Sequence, residues 1–193
     1  LTGERYDKRR LVPFIERVPF VPEALARRAG ERGRRLVGLI AGEEEPLLGG
    51  EGARYGVLIC FESTFAEEAR RYRRAGADFL VNMTNDAWFG GEGRLGRTGA
   101  LWQHPAHATM RAIELRVGVV RAANTGFSLV IDPLGRSHER TALFTPDLRV
   151  ASVFTTPETT LYAHLGDWLA SSAAFASLLL LLMGRVDRPG RTG

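Results

Sequence analysis

Apolar and polar positions along this chain alternate in short blocks with two different periods. "RYGVLIC" (54–60) and "ADFLVNMTND" (77–86) are compact apolar runs that end in polar turns, the pattern of buried strands. Between them, "FAEEARRYRRA" (65–75) has helical composition, and Gly76 supplies a C-terminal stop. "QHPAHATMRAIELRV" (103–117) predicts a further helix after a Gly-rich loop over 89–99. "GVVRAAN" (118–124) and "GFSLVID" (126–132) predict neighbouring strands, "DPLG" a turn, and "LRVASVF" (148–154) one more strand. Upstream, the prolines of "LVPFIERVPFVP" keep residues 1–20 extended. A helical patch is expected over 23–35 and a strand over "RLVGLIAG" (35–42). Strands alternating with helices imply an α/β core.

Near the C-terminus the pattern changes. "LASSAAFASLLLLLMG" (169–184) carries no charge, and "RVDRPGRTG" follows it. A bilayer-spanning helix needs about 18–20 apolar residues. With the approach from Leu161, this run predicts a transmembrane helix over 161–184. Tyr162 and Trp168 would anchor one side and the basic tail 185–193 the other. A buried or interfacial helix is the alternative. Residues 1–160 would then form the catalytic domain.

The composition fits one folded domain with a substantial core: 193 residues, 45% hydrophobic and 25% charged. The net charge is +4 and the pI about 9.8. The basic clusters "RRYRR" and "RRAGERGRR" lack the interleaved aromatics of a base-stacking surface, so they read as solvated helix faces and no nucleic-acid partner is expected. The chain opens on "LTGERYDKRR", with neither an initiator Met nor a signal-peptide pattern, and is expected to be a fragment.

Cys60 is the single cysteine, so no intrachain disulfide is possible. It ends an apolar strand just before a helical stretch. Taken alone, such a residue is either a small buried hydrophobe or a nucleophile presented beside backbone N–H groups. "GEGRLG" (91–96) spells a dinucleotide fingerprint but follows a loop rather than a strand. "HPAH" (104–107) lacks further ligands for a metal and reads as a helix start with one functional or capping His, and "NMT" (82–84) is a glycosylation sequon by spelling only. No metal or cofactor is expected.

Four segments in one order change the weighting of Cys60: "YDKRRLVPFIERVPF" (6–20), "ICFE" (59–62), "TNDAWFG" (84–90) and "RAANTGFSLVIDPLGR" (121–136). Together they resemble the nitrilase superfamily, and within it the apolipoprotein N-acyltransferases. The resemblance implies a partial nitrilase-like αββα sandwich with a Cys–Glu–Lys triad. By matching position, Cys60 is the nucleophile and Lys8 the triad lysine. Glu16 and Glu62 support the site, or pair with the many arginines. The backbone N–H of Phe61, which stands where the family commonly has Tyr, serves the oxyanion. Asn85, Trp88 and Phe89 belong to the substrate loop. The triad glutamate is expected outside this chain, since only Glu4 precedes Lys8 and it does not match the motif, so the fragment alone should be inactive. The loop over 90–102 is longer than the family pattern before its Gln-His pair.

The implied reaction is acyl transfer from a phospholipid donor to an apolipoprotein acceptor through a cysteine thioester, at the periplasmic side of a bacterial inner membrane and in contact with membrane lipid. Two alternatives stay open. One is a soluble amidase or carbamoylase using the same Cys and Lys, and the other an inactive fragment.

Overall fold

The computed structural model describes residues 4–20, 38–50, 52–91 and 98–186, with positions 22, 24, 28 and 30 between them. Six strands form one mixed sheet in chain order: β1 (Leu48–Gly49), β2 (Arg54–Ile59), β3 (Phe79–Asn85), β4 (Gly118–Asn124), β5 (Leu129–Ile131) and β6 (Ser137–His138). The centre, β2–β3–β4, is parallel; β1 at one edge and β5 and β6 at the other are antiparallel. Parallel pairing needs crossovers, and two helices supply them: α1 (Ala66–Arg74) and α2 (Ala100–Leu115). Both pack on one face of the sheet. Their Ala69, Tyr72, Ala112 and Leu115 form a single core with Leu58, Leu80 and Val119. The fit is close at Gly56, where a Cβ would overlap the Tyr72 ring.

The strand register carries polar groups into this core. Leu58 lies beside Asn82, and Asn82 beside Arg121, so two polar side chains share the helix-covered face with the apolar ones. The opposite face carries Tyr55 stacked on Phe79 at 5.2 Å, with Val57, Val81 and Met83. Among the described residues there is one sheet with one helical layer, half of the four layers expected.

Several elements agree with the pattern and several do not. Strand β4 has the expected bounds, and α1 stops at Gly76, whose φ of 94° suits glycine. Helix α2 starts three residues ahead of 103, with Pro105 inside it. The proline costs it only the bond that residue 105 would donate to the carbonyl four residues back. No strand forms over 148–154: Leu148 and Val150 point to solvent, and the backbone comes alongside the sheet at Phe154, whose carbonyl lies against Gly118. The expected strand over 35–42 is reduced to one bridge between Gly38 and Arg17, with 35–37 outside the described residues. The expected helix over 23–35 falls mostly outside them too.

The single helix expected over 161–184 is corrected. The chain forms a short α3 (Leu161–Leu165), breaks at Gly166 (φ 61°) and resumes as α4 (Trp168–Val186). The first piece belongs to the globular body. Thr160 caps it by accepting from the Ala163 N–H at 3.0 Å, Ala163 is buried in the core, and Arg70 donates to the Ala163 and His164 carbonyls. Among the described residues no helix is long and apolar enough to cross a membrane. Leu169, Phe175 and Leu178 through Met183 on α4 are exposed.

Candidate active site

Strand β2 belongs to the parallel centre of the sheet and ends at Ile59; the chain then turns into a short 3-10 helix, Cys60–Thr64. Cys60 occupies the turn with φ 51°, the left-handed region that costs a non-glycine residue roughly 1–2 kcal/mol. Local bonds hold the strain. The Ser63 hydroxyl donates to the Cys60 carbonyl at 3.0 Å, and the Glu62 carboxylate reaches back to the Ile59 N–H at 2.7 Å.

Glu62 is fully buried, and a phenol and backbone amides meet its charge. Its Oε1 accepts from the Tyr6 hydroxyl (2.8 Å), the Arg9 N–H (2.7 Å) and the Arg10 N–H (3.0 Å). Burial, reinforced by the Glu62 charge, pushes the Tyr6 phenol far above its ordinary value, so Tyr6 remains a donor. The guanidinium groups of these two arginines go instead to Glu68, Arg9 at 2.8 Å and Arg10 at 2.6 Å. The opening segment is thereby fastened to the turn that carries the thiol.

Lys8 lies in the middle of that fastened stretch. Its Nζ donates to both carboxylate oxygens of Glu16, at 2.7 and 2.6 Å, and Glu16 also accepts the Val12 N–H at 2.8 Å. A pocket of about 380 Å³ opens above Cys60. It is lined by Cys60, Phe61, Glu16, Trp88, Phe89 and His104, among others. Lys8 faces a neighbouring cleft of about 1010 Å³ and meets the thiol pocket through its partner Glu16.

The structure therefore brings Cys60, Phe61, Glu16, Trp88 and Phe89 to one cavity, with Lys8 behind Glu16 and Glu62 beneath the turn. Asn85 lies apart from the lining. Its side chain accepts from the Ala87 N–H and the Asn124 amide, which fixes the base of the Asp86–Phe89 turn. Glu4 is turned to the Gly49 N–H at 3.3 Å on β1.

A buried polar cluster lies under the pocket; the sequence offered a functional or capping histidine in "HPAH" but not the cluster. Arg121 on β4 donates to the Asn82 side-chain oxygen, and to Asp86 Oδ2 at 2.6 Å. Asp86 Oδ1 lies 2.8 Å from His104 Nδ1, and His104 Nε2 lies 3.2 Å from the Cys60 carbonyl. All four side chains are buried. Burial pushes the Asp86 carboxyl up, but the bond from His104 and the charge of Arg121 outweigh it and leave it below the usual carboxylate range. Burial also lowers Arg121, with Asp86 opposing. The available signals were faint: one arginine inside the otherwise uncharged "GVVRAAN", and a histidine beside a proline.

Residues 2–166 match the family described as carbon-nitrogen hydrolase. The chain is 42% identical over 147 residues to an apolipoprotein N-acyltransferase of Geobacter metallireducens, covering 72% of this chain and 25% of that protein. It is 40% identical over 187 residues to the apolipoprotein N-acyltransferase of Bradyrhizobium diazoefficiens, covering 95% of this chain and 33% of that one. The chain thus spans a quarter to a third of the length of these curated relatives. A crystal structure of an amidase from Nesterenkonia sp. is a distant likeness, with TM-score 0.45 and 18% identity, covering 57% of this chain and 42% of that one.

Proposed function

Because the chain belongs to the carbon-nitrogen hydrolase family, we propose that it carries the nucleophile and lysine of a lipoprotein N-acyltransferase, with Cys60 as the acyl carrier. One observation carries the reading. The lone thiol sits on a strained left-handed turn at the mouth of a pocket whose wall includes the carboxylate holding Lys8. Strain at that position is retained where the side chain must be displayed rather than packed.

The reaction has two halves. Cys60 sulfur attacks an ester carbonyl of a phospholipid, forming a C–S bond. The C–O bond then breaks and the lysophospholipid leaves with the proton given up by the thiol. The amine of a lipoprotein's N-terminal cysteine next attacks the thioester, a C–N bond forms, the C–S bond breaks, and the amine proton passes through the base to the Cys60 sulfur, restoring the thiol. The Phe61 N–H stabilises the oxyanion in both halves, with the Lys8 charge standing one carboxylate away, behind Glu16. The apolar wall formed by Ile15, Trp88 and Phe89 suits an acyl chain. The general base in this scheme is a carboxylate. We place the work at the periplasmic face of a bacterial inner membrane.

The test is mass spectrometry of the intact protein after incubation with phospholipid. Wild type should gain one acyl mass on the peptide containing Cys60, and Cys60→Ala none. An acylated Cys60→Ala protein would eliminate the mechanism.

A further inference from the structure

We propose that His104 is a positioning residue for this acyl transfer, acting through the carbonyl of Cys60 and braced by Asp86, Arg121 and Asn82. The inference rests on Cys60 being the nucleophile. Cys60 holds φ 51° only if something secures the peptide that follows its Cα. The Ser63 hydroxyl donates to its carbonyl oxygen at 3.0 Å, and His104 Nε2 lies 3.2 Å from the same atom. Asp86 accepts from Nδ1, so the ring donates to the Cys60 carbonyl as well when both of its nitrogens carry hydrogen.

The bracing runs down into the sheet. Asp86 Oδ1 fixes the other ring nitrogen at 2.8 Å, Asp86 Oδ2 is gripped by Arg121 at 2.6 Å, and Arg121 also holds Asn82, whose Nδ2 donates to the Leu58 carbonyl at 2.8 Å. The chain of contacts begins at Leu58 on β2 and returns to Cys60, two residues further along the same strand end. A buried ion pair of this kind is poor value as stabilisation, because desolvation consumes most of its Coulomb energy. As a jig it makes sense: it fixes the peptide linking the thiol-bearing residue to the N–H of Phe61. That peptide sets both the direction of the sulfur and the aim of the oxyanion donor. Phe89 stacks edge-on against the His104 ring at 5.4 Å, and both line the pocket.

The experiment uses the intact protein and compares His104→Ala, His104→Gln and His104→Asn. A glutamine amide reaches the Cys60 carbonyl; an asparagine amide reaches only towards Asp86. Single-turnover acylation of Cys60 should fall about 100-fold in H104A, the scale expected for an ångström of misplacement. KM for phospholipid should stay within about twofold, and H104Q should recover about tenfold over H104N. Wild-type acylation rates in H104A would overturn the proposal. So would equal losses in H104Q and H104N that track their melting temperatures, since that is the signature of a packing role alone. If H104A does not fold, the H104Q and H104N rates decide it in the same way. Alkylation of Cys60 by iodoacetamide is measured in parallel and should slow about tenfold in H104N but less in H104Q. Should wild type form no thioester, the acyl-transfer reading fails and the alkylation rates alone decide the positioning claim; unchanged alkylation would then end it.

Discussion

Replacing Glu62 with Gln preserves its shape and removes its charge, and the structure says where the loss falls. Oε1 serves the Tyr6 hydroxyl and the Arg9 and Arg10 amides, while Oε2 serves the Ile59 amide. The glutamine carbonyl can keep the first three. Its NH2 group then meets the Ile59 N–H, and leaving that buried donor unpaired costs about 1–3 kcal/mol. The other three bonds fall from charge-assisted to neutral strength, roughly half, or about 1 kcal/mol each. Bonds that share one acceptor atom do not add, so the net is on the order of 3 kcal/mol rather than the simple sum. At about 1.4 kcal/mol per tenfold, opening of the 6–10 segment should become about 100-fold more frequent. Amide hydrogen exchange reads this directly: Arg9 and Arg10 should exchange about 100-fold faster in E62Q, while Leu80 and Val119 in the central strands hold their protection. Unchanged rates at Arg9 and Arg10 would refute the claim that Glu62 fastens the segment. An equal rise across the central strands would show that Glu62 supports the whole sheet instead.

The same geometry sets two further outcomes. Both Cys60→Ala and Cys60→Gly lose the thiol, but only Ala keeps a Cβ at φ 51°, so C60G should be more stable than C60A by about 1 kcal/mol; equal melting temperatures would mean the turn is unstrained. Asp86 is held below the usual carboxylate range in the fold, so its contribution to stability is complete above about pH 4 and is lost as pH falls through the lower folded value. The melting temperature of Asp86→Asn should therefore decline less steeply than wild type between about pH 4 and pH 2, and parallel curves would contradict the assignment.

What the sequence disclosed depended on how local each signal was. The strand before Cys60, the helix that ends at Gly76 and the strand Gly118–Asn124 each carry their own composition and stops, and they appear where expected. The Lys8–Glu16 pair was legible in the segment itself, a lysine and a glutamate set across a rigid proline-rich bridge, and the two side chains meet in the structure. The run 148–154 misled because strand-like composition does not ensure pairing: Leu148 and Val150 stay exposed although Phe154 reaches Gly118. The helix expected over 161–184 failed at Gly166, whose backbone break outweighed the hydropathy on either side. The Asn82–Asp86–His104–Arg121 cluster was hidden for a different reason. Its members come from β3, the turn after it, α2 and β4, and only the register of a parallel sheet makes them neighbours.

The Glu62 carboxylate also joins two parts of the chain that lie far apart in sequence. One of its oxygens meets the strip that carries Lys8 and the other the bend that carries Cys60, more than fifty positions further on. On the proposed reading, a change at this one carboxylate would shift the thiol and the ammonium together, like two hands of a clock on one spindle.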